Sequence, residues 1–301
     1  MFVITGAGGR TGRAAAVHLL GAGYRVRAVG RSARRLADLA ARGAEVSEAD
    51  PADPAALADA FRGADGVYAV IQPNYLPDHP DFGAFQDQVA ASLTTAVAES
   101  GVTRVVGLSS WGARHATGTG PVRGLHRFEQ RLSAVPGVDT LWLRAGYFME
   151  NLLDHVDSAR SHHRISAPFE PGLPLPFVTT RDVGARAGEE LAAGTWHGTK
   201  ILELQGERDV SMREAVGVIA NAVRADDFTY EHTSLADFHA ALRGQGVSVD
   251  VADMMAEVGE SVNSRHTRME QPRTARTSTP TSIERFVEEE FAPRYRAARS
   301  A

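Results

Sequence analysis

Short apolar runs and amphipathic stretches alternate along the first half of this 301-residue chain. The apolar runs fall at 2–5, 25–29, 44–46, 66–71, 104–108 and 140–143, with helical patterns between them at 10–22, 32–42, 53–62, 84–100 and 121–134. Strand–helix alternation predicts a parallel sheet, because each helix carries the chain back to the end where the next strand starts. Several runs are apolar throughout instead of at every second residue, which predicts strands covered on both faces. The fold class is therefore α/β, a doubly wound parallel sheet of Rossmann type.

Beyond about residue 150 the alternation becomes irregular. Runs at 175–178 and 200–204 predict further strands. Ser211 with Glu214 three positions on forms a capping box that opens a helix to about Ala222. A helical pattern spans 236–258, residues 261–282 are rich in Ser, Thr, Arg and Pro and read as loop, and a last helix opens near Thr281. The expected organisation is a nucleotide-binding domain over 1–150 and a smaller, mainly helical substrate cap over 151–301, interleaved with the first.

Composition narrows the function. There is no cysteine, so disulfides, thiolate catalysis and Cys-ligated metals are excluded. The 37 acids against 32 basic residues give a net charge of −5, which argues against a nucleic-acid partner. Apolar runs are only strand-length, and the first residues read as a strand and turn instead of a signal peptide, so a cytoplasmic protein with no membrane partner is expected. The expected partner is a small-molecule substrate, and a homodimer is the assembly allowed for. Lys200 is the only lysine, so 31 of the 32 basic residues are arginine.

The first strand leads into Thr5-Gly6-Ala7-Gly8-Gly9-Arg10-Thr11-Gly12 and then an apolar helix face. Glycines here allow a tight turn and close backbone approach to a pyrophosphate, while the helix N-terminus presents unpaired N–H groups to it. The strand-before, helix-after context makes this a dinucleotide cradle. Arg31 follows the second strand where an NAD site has an acid for the ribose hydroxyls. An arginine there accommodates the 2′-phosphate, so NADP(H) is the expected cofactor. Asp50 is expected either to accept the adenine amino group or to cap a helix, and Asp53 to cap the next helix.

These residues resemble the NmrA-like family of atypical short-chain dehydrogenase/reductases. The resemblance rests on ITGAGGRTG at 4–12, the Asp50–Asp53 step, VVGLSSWGA at 105–113, TTRDVGARA at 179–187 and LRAGYFMENL at 143–152. In the wider superfamily a tyrosine and a lysine four residues later do the proton chemistry. If Glu129 matches the family's glutamate on that helix, the pair falls on Pro121 and Leu125, and Lys200 lies far down the chain. The resemblance implies that backbone from Ala145 to Phe148, including Gly146 and Tyr147, lines the nicotinamide, with Ser109, Gln72 and Pro73 along the cofactor.

Strand ends converging at the ligand crevice supply the candidates for the substrate: Asn74, Tyr75, Trp111, Phe148 and Asn151. The proton donor is Tyr147, His126 or water. No metal site is expected, and His162-His163 reads as surface. The leading function is an NADPH-dependent oxidoreductase passing hydride to a small aromatic or conjugated acceptor of quinone, azo, imine or enone type. The rival is a non-catalytic sensor of the NADPH/NADP ratio, with a sugar epimerase third.

Overall fold

The structure, a computed structural model, describes residues 1–71 and 78–297. The first half runs β1 (Phe2–Ile4), α1 (Arg10–Gly21), β2 (Val26–Gly30), α2 (Ala37–Ala41), β3 (Glu45–Glu48), α3 (Pro54–Phe61) and β4 (Gly66–Ala69). It continues through α4 (Phe82–Ser100), β5 (Arg104–Ser110), α5 (Val122–Ser133) and β6 (Asp139–Ala145). The second half holds β7 (Tyr147–Phe148), α6 (Val156–His162), β8 (Arg164–Ala167), β9 (Phe177–Val178), α7 (Thr180–Ala193) and β10 (Thr199–Leu204). It closes with α8 (Met212–Val223), β11 (Thr229–His232), α9 (Leu235–Gly244), α10 (Val249–Asn263), α11 (Ile283–Phe286) and α12 (Ala292–Arg296).

Seven strands pair in parallel in the order β10-β6-β5-β4-β1-β2-β3. One face is packed by α1 and α7 through Leu19, Val183, Ala187 and Leu191, and the other by α3, α4 and α5 through Leu57, Leu93 and Phe128. The doubly wound sheet is thus as its apolar runs predict. Strand order reverses between β1 and β4, which opens the ligand crevice at the carboxyl ends of the strands. Helix α7 lies so close on α1 that a Cβ at Gly184 would stand 2.3 Å from the Thr11 carbonyl oxygen. This is the physical content of the glycine in TTRDVGARA.

A second apolar core gathers Met149, Leu152, Phe177, Ile219 and Phe286 beneath α8 and α11. Here the sequence reading needs correction at several places. The run at 175–178 is a strand only at Phe177–Val178, which pairs with β7, while Leu175 bridges Val210. The pattern at 236–258 is two helices. Gly246, at φ +85, breaks it, and the Ser248 side chain caps α10 by accepting the Val251 N–H. The last helix is capped by Ser282, because Thr281 instead donates both its N–H and its hydroxyl to Asp182 at 3.0 Å. The strands β8 and β11 and helix α7 have no counterpart in the predicted elements. Ser211 accepts the Glu214 N–H at 3.2 Å, as the capping box requires.

The stretch 264–281 is a strap along the outer edge of the sheet. Gln205 N–H donates to the Thr277 carbonyl and Thr279 N–H to the Gln205 carbonyl, each at 2.9 Å. Gln271 accepts the Glu203 N–H at 3.0 Å and donates to the Ile201 carbonyl at 3.0 Å, so the free edge of β10 is tied off.

Candidate functional site

The glycine loop closes on itself through Gly9 N–H to the Gly6 carbonyl at 2.8 Å, with Gly6 at φ +60. A Cβ at Gly12 would stand 2.4 Å from that carbonyl oxygen, so only glycine lets α1 start directly beneath the turn. The N-cap of α1 is Gly9, with no side-chain cap and no acid in the first turn. Its first-turn N–H groups and positive dipole end are therefore left for an anion. Gly8 abuts Leu36 and Arg35, placing the β2–α2 segment against the loop.

That segment is held in three ways. Arg13 pairs with Asp38 and donates to the Arg35 carbonyl at 3.0 Å, and Glu48 accepts the Ala33 N–H at 2.5 Å. Arg10 and Arg31, by contrast, are exposed and make no ion pair with another described residue. An uncapped helix start flanked by two uncommitted guanidiniums has the donor set of a pyrophosphate with a further phosphate beside it. Gly6, Gly8, Gly9, Arg10, Thr11, Gly12 and Arg31 fall together here. Asp50 is exposed and its Oδ1 accepts the Ala52 N–H at 2.9 Å, while Asp53 caps α3 through the N–H groups of Ala55 and Ala56. Gln72, Pro73, Asn74 and Tyr75 lie outside the described residues.

On the opposite side of the crevice, Trp111 N–H donates to the Ala145 carbonyl at 2.9 Å, joining the ends of β5 and β6. Gly146 follows, and a Cβ there would meet the Pro176 carbonyl oxygen at 2.0 Å. Tyr147 N–H donates to the same Pro176 carbonyl at 2.9 Å, so the two backbones pack directly. Tyr147 and Phe148 then point to opposite sides: Phe148 packs with the sheet core, and Tyr147 lies edge-on to Phe169 and Phe177 at 5.4 and 5.2 Å. Asn151 is half-buried in the turn that follows. His126 donates from Nδ1 to the Ala113 carbonyl at 2.8 Å, which leaves Nε2 as the ring position for proton exchange.

Ser109 stands near the carboxyl end of β5 with its side chain turned inward. It is buried, and its hydroxyl donates to Glu129 Oε1 at 2.6 Å. Arg144 completes a fork on the same carboxylate at 3.0 and 2.7 Å. Glu150, also buried, has one oxygen engaged by Thr180 at the start of α7. Burial pushes its pKa up despite those hydrogen bonds and the Arg10 charge.

A cleft of about 210 Å³ opens at the carboxyl ends of β5, β6 and β10. Trp111, Pro174 and Pro176 give it apolar walls, and Arg265, Thr267 and Arg268 of the strap form its polar side. Of the described residues singled out from the sequence, only Trp111 lines it. The strap residues were missed because their stretch carries no period, and its arginine-rich composition was the one signal available.

A nucleotide cradle facing an apolar cleft across the carboxyl ends of a parallel sheet defines a Rossmann-fold oxidoreductase. A family model described as NAD(P)H-binding matches residues 6–137. The (4-alkanoyl-5-oxo-2,5-dihydrofuran-3-yl)methyl phosphate reductase of Streptomyces griseus is 30% identical over 223 residues, covering 74% of each chain. The NAD(P)H azoreductase of Xenophilus azovorans is 26% identical over 86% of each. An Escherichia coli NADPH-dependent quinone oxidoreductase, solved with NADPH, shares the fold at a TM-score of 0.80 and 23% identity, covering 95% of this chain and 98% of that one. The chain belongs to the NmrA-like group of atypical short-chain dehydrogenase/reductases and is an oxidoreductase with a cofactor of the NAD(P)H type. Among the described residues no helix is long and apolar enough to cross a membrane.

Proposed function

We propose that this chain uses NADPH to reduce small, flat, conjugated acceptors of the quinone, azo, imine or enone type. The observation that carries this reading is that two half-sites open at the same carboxyl edge of one parallel sheet. On one side lie the open α1 N-terminus and the uncommitted Arg31, and on the other a cleft walled by Trp111 and prolines. When bound, the reduced nicotinamide supplies a hydride. Gly6–Gly12 hold the pyrophosphate against the helix N-terminus, and Arg10 and Arg31 take the 2′-phosphate. The Trp111–Ala145 hydrogen bond and the Pro176 contact fix the floor on which the acceptor lies.

The chain's own residues offer little acid catalysis. If Glu129 matches the family's glutamate on α5, the tyrosine and lysine positions fall on Pro121 and Leu125. Lys200 stands at the amino end of β10, paired in register with Leu141 and remote from the crevice. Acceptors that are already electron-poor suit such a site, because the proton can come from water, or from Nε2 of His126 in its imidazolium form, instead of from an activated phenol. The curated relatives, reductases of azo and dihydrofuranone compounds by name, support the same acceptor class.

Calorimetric titration with NADPH and NADH tests the cofactor half. A charge-assisted hydrogen bond is worth about 1.5–3 kcal/mol, or roughly 10- to 100-fold in affinity. NADPH is expected to bind tighter than NADH by about that factor, and Arg31→Ala to erase the difference. Equal binding of both by the unaltered protein removes Arg31 from its role. NADPH oxidation with naphthoquinones, azo dyes and enones tests the acceptor half, and binding without any turnover favours the sensor.

A further inference from the structure

We propose that the acceptor carries an acidic oxyanion group, a sulfonate, carboxylate or phosphate, seated on Arg265 and Arg268 at the mouth of the cleft. This rests on the reductase reading of that cleft. The apolar walls account for a ring system, but nothing apolar accounts for the strap. Within it Arg268 and Arg114 share a single carboxylate, Glu270, at 3.0 and 2.8 Å. The cleft's own acid, Asp209, is engaged by Arg273 at 2.5 Å. Arg265 has no ion-pair partner among the described residues. The mouth is therefore cationic on a molecule whose net charge is −5.

Arg265 is also held at φ +59, a left-handed conformation that a side chain of its kind rarely takes. The turn is fixed by Arg265 N–H to the Val262 carbonyl and Thr267 N–H to the Ser261 carbonyl, both at 3.0 Å. A buried Ser261–Thr267 hydroxyl pair at 2.7 Å locks it. A strained, uncommitted arginine beside an apolar cleft has the form of a recognition group. The dinucleotide's phosphates do not account for it, since their cradle is at α1, on the β1 side of the crevice, whereas the strap lies over the ends of β6 and β10.

The test is calorimetric titration of the NADP⁺-saturated protein with 2-naphthalenesulfonate and with 2-naphthylmethanol, which share a ring system and differ in charge. The sulfonate is expected to bind at least about tenfold tighter, as a charge-assisted contact implies. Rising salt is expected to narrow the gap. Arg265→Gly, which suits the left-handed backbone and so keeps the fold, is expected to collapse the sulfonate-to-alcohol ratio. Arg268→Gln should lower it further. 2-Naphthoate and 2-naphthyl phosphate as parallel ligands decide which oxyanion is preferred. The proposal falls if the sulfonate binds no tighter than the alcohol, if 2-naphthylmethylammonium binds best, or if Arg265→Gly leaves the ratio intact. Turnover of 1,2-naphthoquinone and its 4-sulfonate is measured alongside. Selective sulfonate binding with neither quinone reduced would leave the anion site standing and remove the reductase reading.

Discussion

Ser109 lies at the carboxyl end of β5, where its motif promises a cofactor contact, yet its hydroxyl is turned inward to Glu129 and Arg144. Removing one partner of a buried, hydrogen-bonded ion pair leaves a charge uncompensated, at about 3–5 kcal/mol. Glu129→Ala is expected to destabilise by that order in urea unfolding. Ser109→Ala loses one hydrogen bond to a charged group, about 1.5–3 kcal/mol, and should leave the NADPH dissociation constant unchanged. A tenfold weakening of NADPH binding by Ser109→Ala would return that residue to the cofactor site. The contrast with Gly12 shows what sequence can convey at this scale. A glycine required by a close backbone approach is readable from its motif, whereas the face a strand-end serine turns to depends on packing between β5, α5 and β6.

At the scale of elements, the sheet was legible because a strand buried on both faces is apolar over consecutive residues, as β6 is from Leu141 to Leu143. The strap was not, because its structure comes from side chains that satisfy a sheet edge. Gln271 and Glu203 do what a neighbouring strand does elsewhere, and neither leaves a period in the sequence. Glu203 accepts the N–H groups of Glu270 and Gln271 at 2.6 and 2.8 Å, so even the buried acid of β10 serves the strap. The 236–258 pattern failed differently: helical spacing continues across Gly246, and only the glycine and Ser248 mark the break. The left-handed Arg265 yields a prediction at this scale. Arg265→Gly should raise stability by about 1 kcal/mol, read as a higher melting temperature, because it relieves the backbone while removing a side chain with no stabilising partner. A lower melting temperature would mean that the arginine holds the strap down.

Across the whole molecule, one of the contacts between the strap and the loops of the sheet titrates. His115 of the β5–α5 loop stacks on His266 of the strap with ring centroids 3.8 Å apart. Burial, then the adjacent His266 and Arg114, lower the His115 pKa from its ordinary 6.5, while the backbone contact with His266 and the charge of Glu270 act the other way. A histidine whose folded pKa lies below its unfolded one adds stability that is complete above about 6.5 and is lost as pH falls through that value. The melting temperature is therefore expected to drop between pH 7.5 and 5.5. His115→Phe should flatten that slope. The slope persists in part because burial lowers His155 in the same direction. An unchanged slope in His115→Phe would place the acid sensitivity elsewhere.

The position of Lys200 has a practical consequence. The only lysine side chain is exposed at the amino end of β10, on the same side of the sheet as the amino end of β1. In a parallel sheet these ends lie together, on the side away from the crevice. Amine-directed coupling to a bead, an electrode or a dye would therefore attach the protein by its back, and with no cysteine present a single engineered thiol could label the front independently.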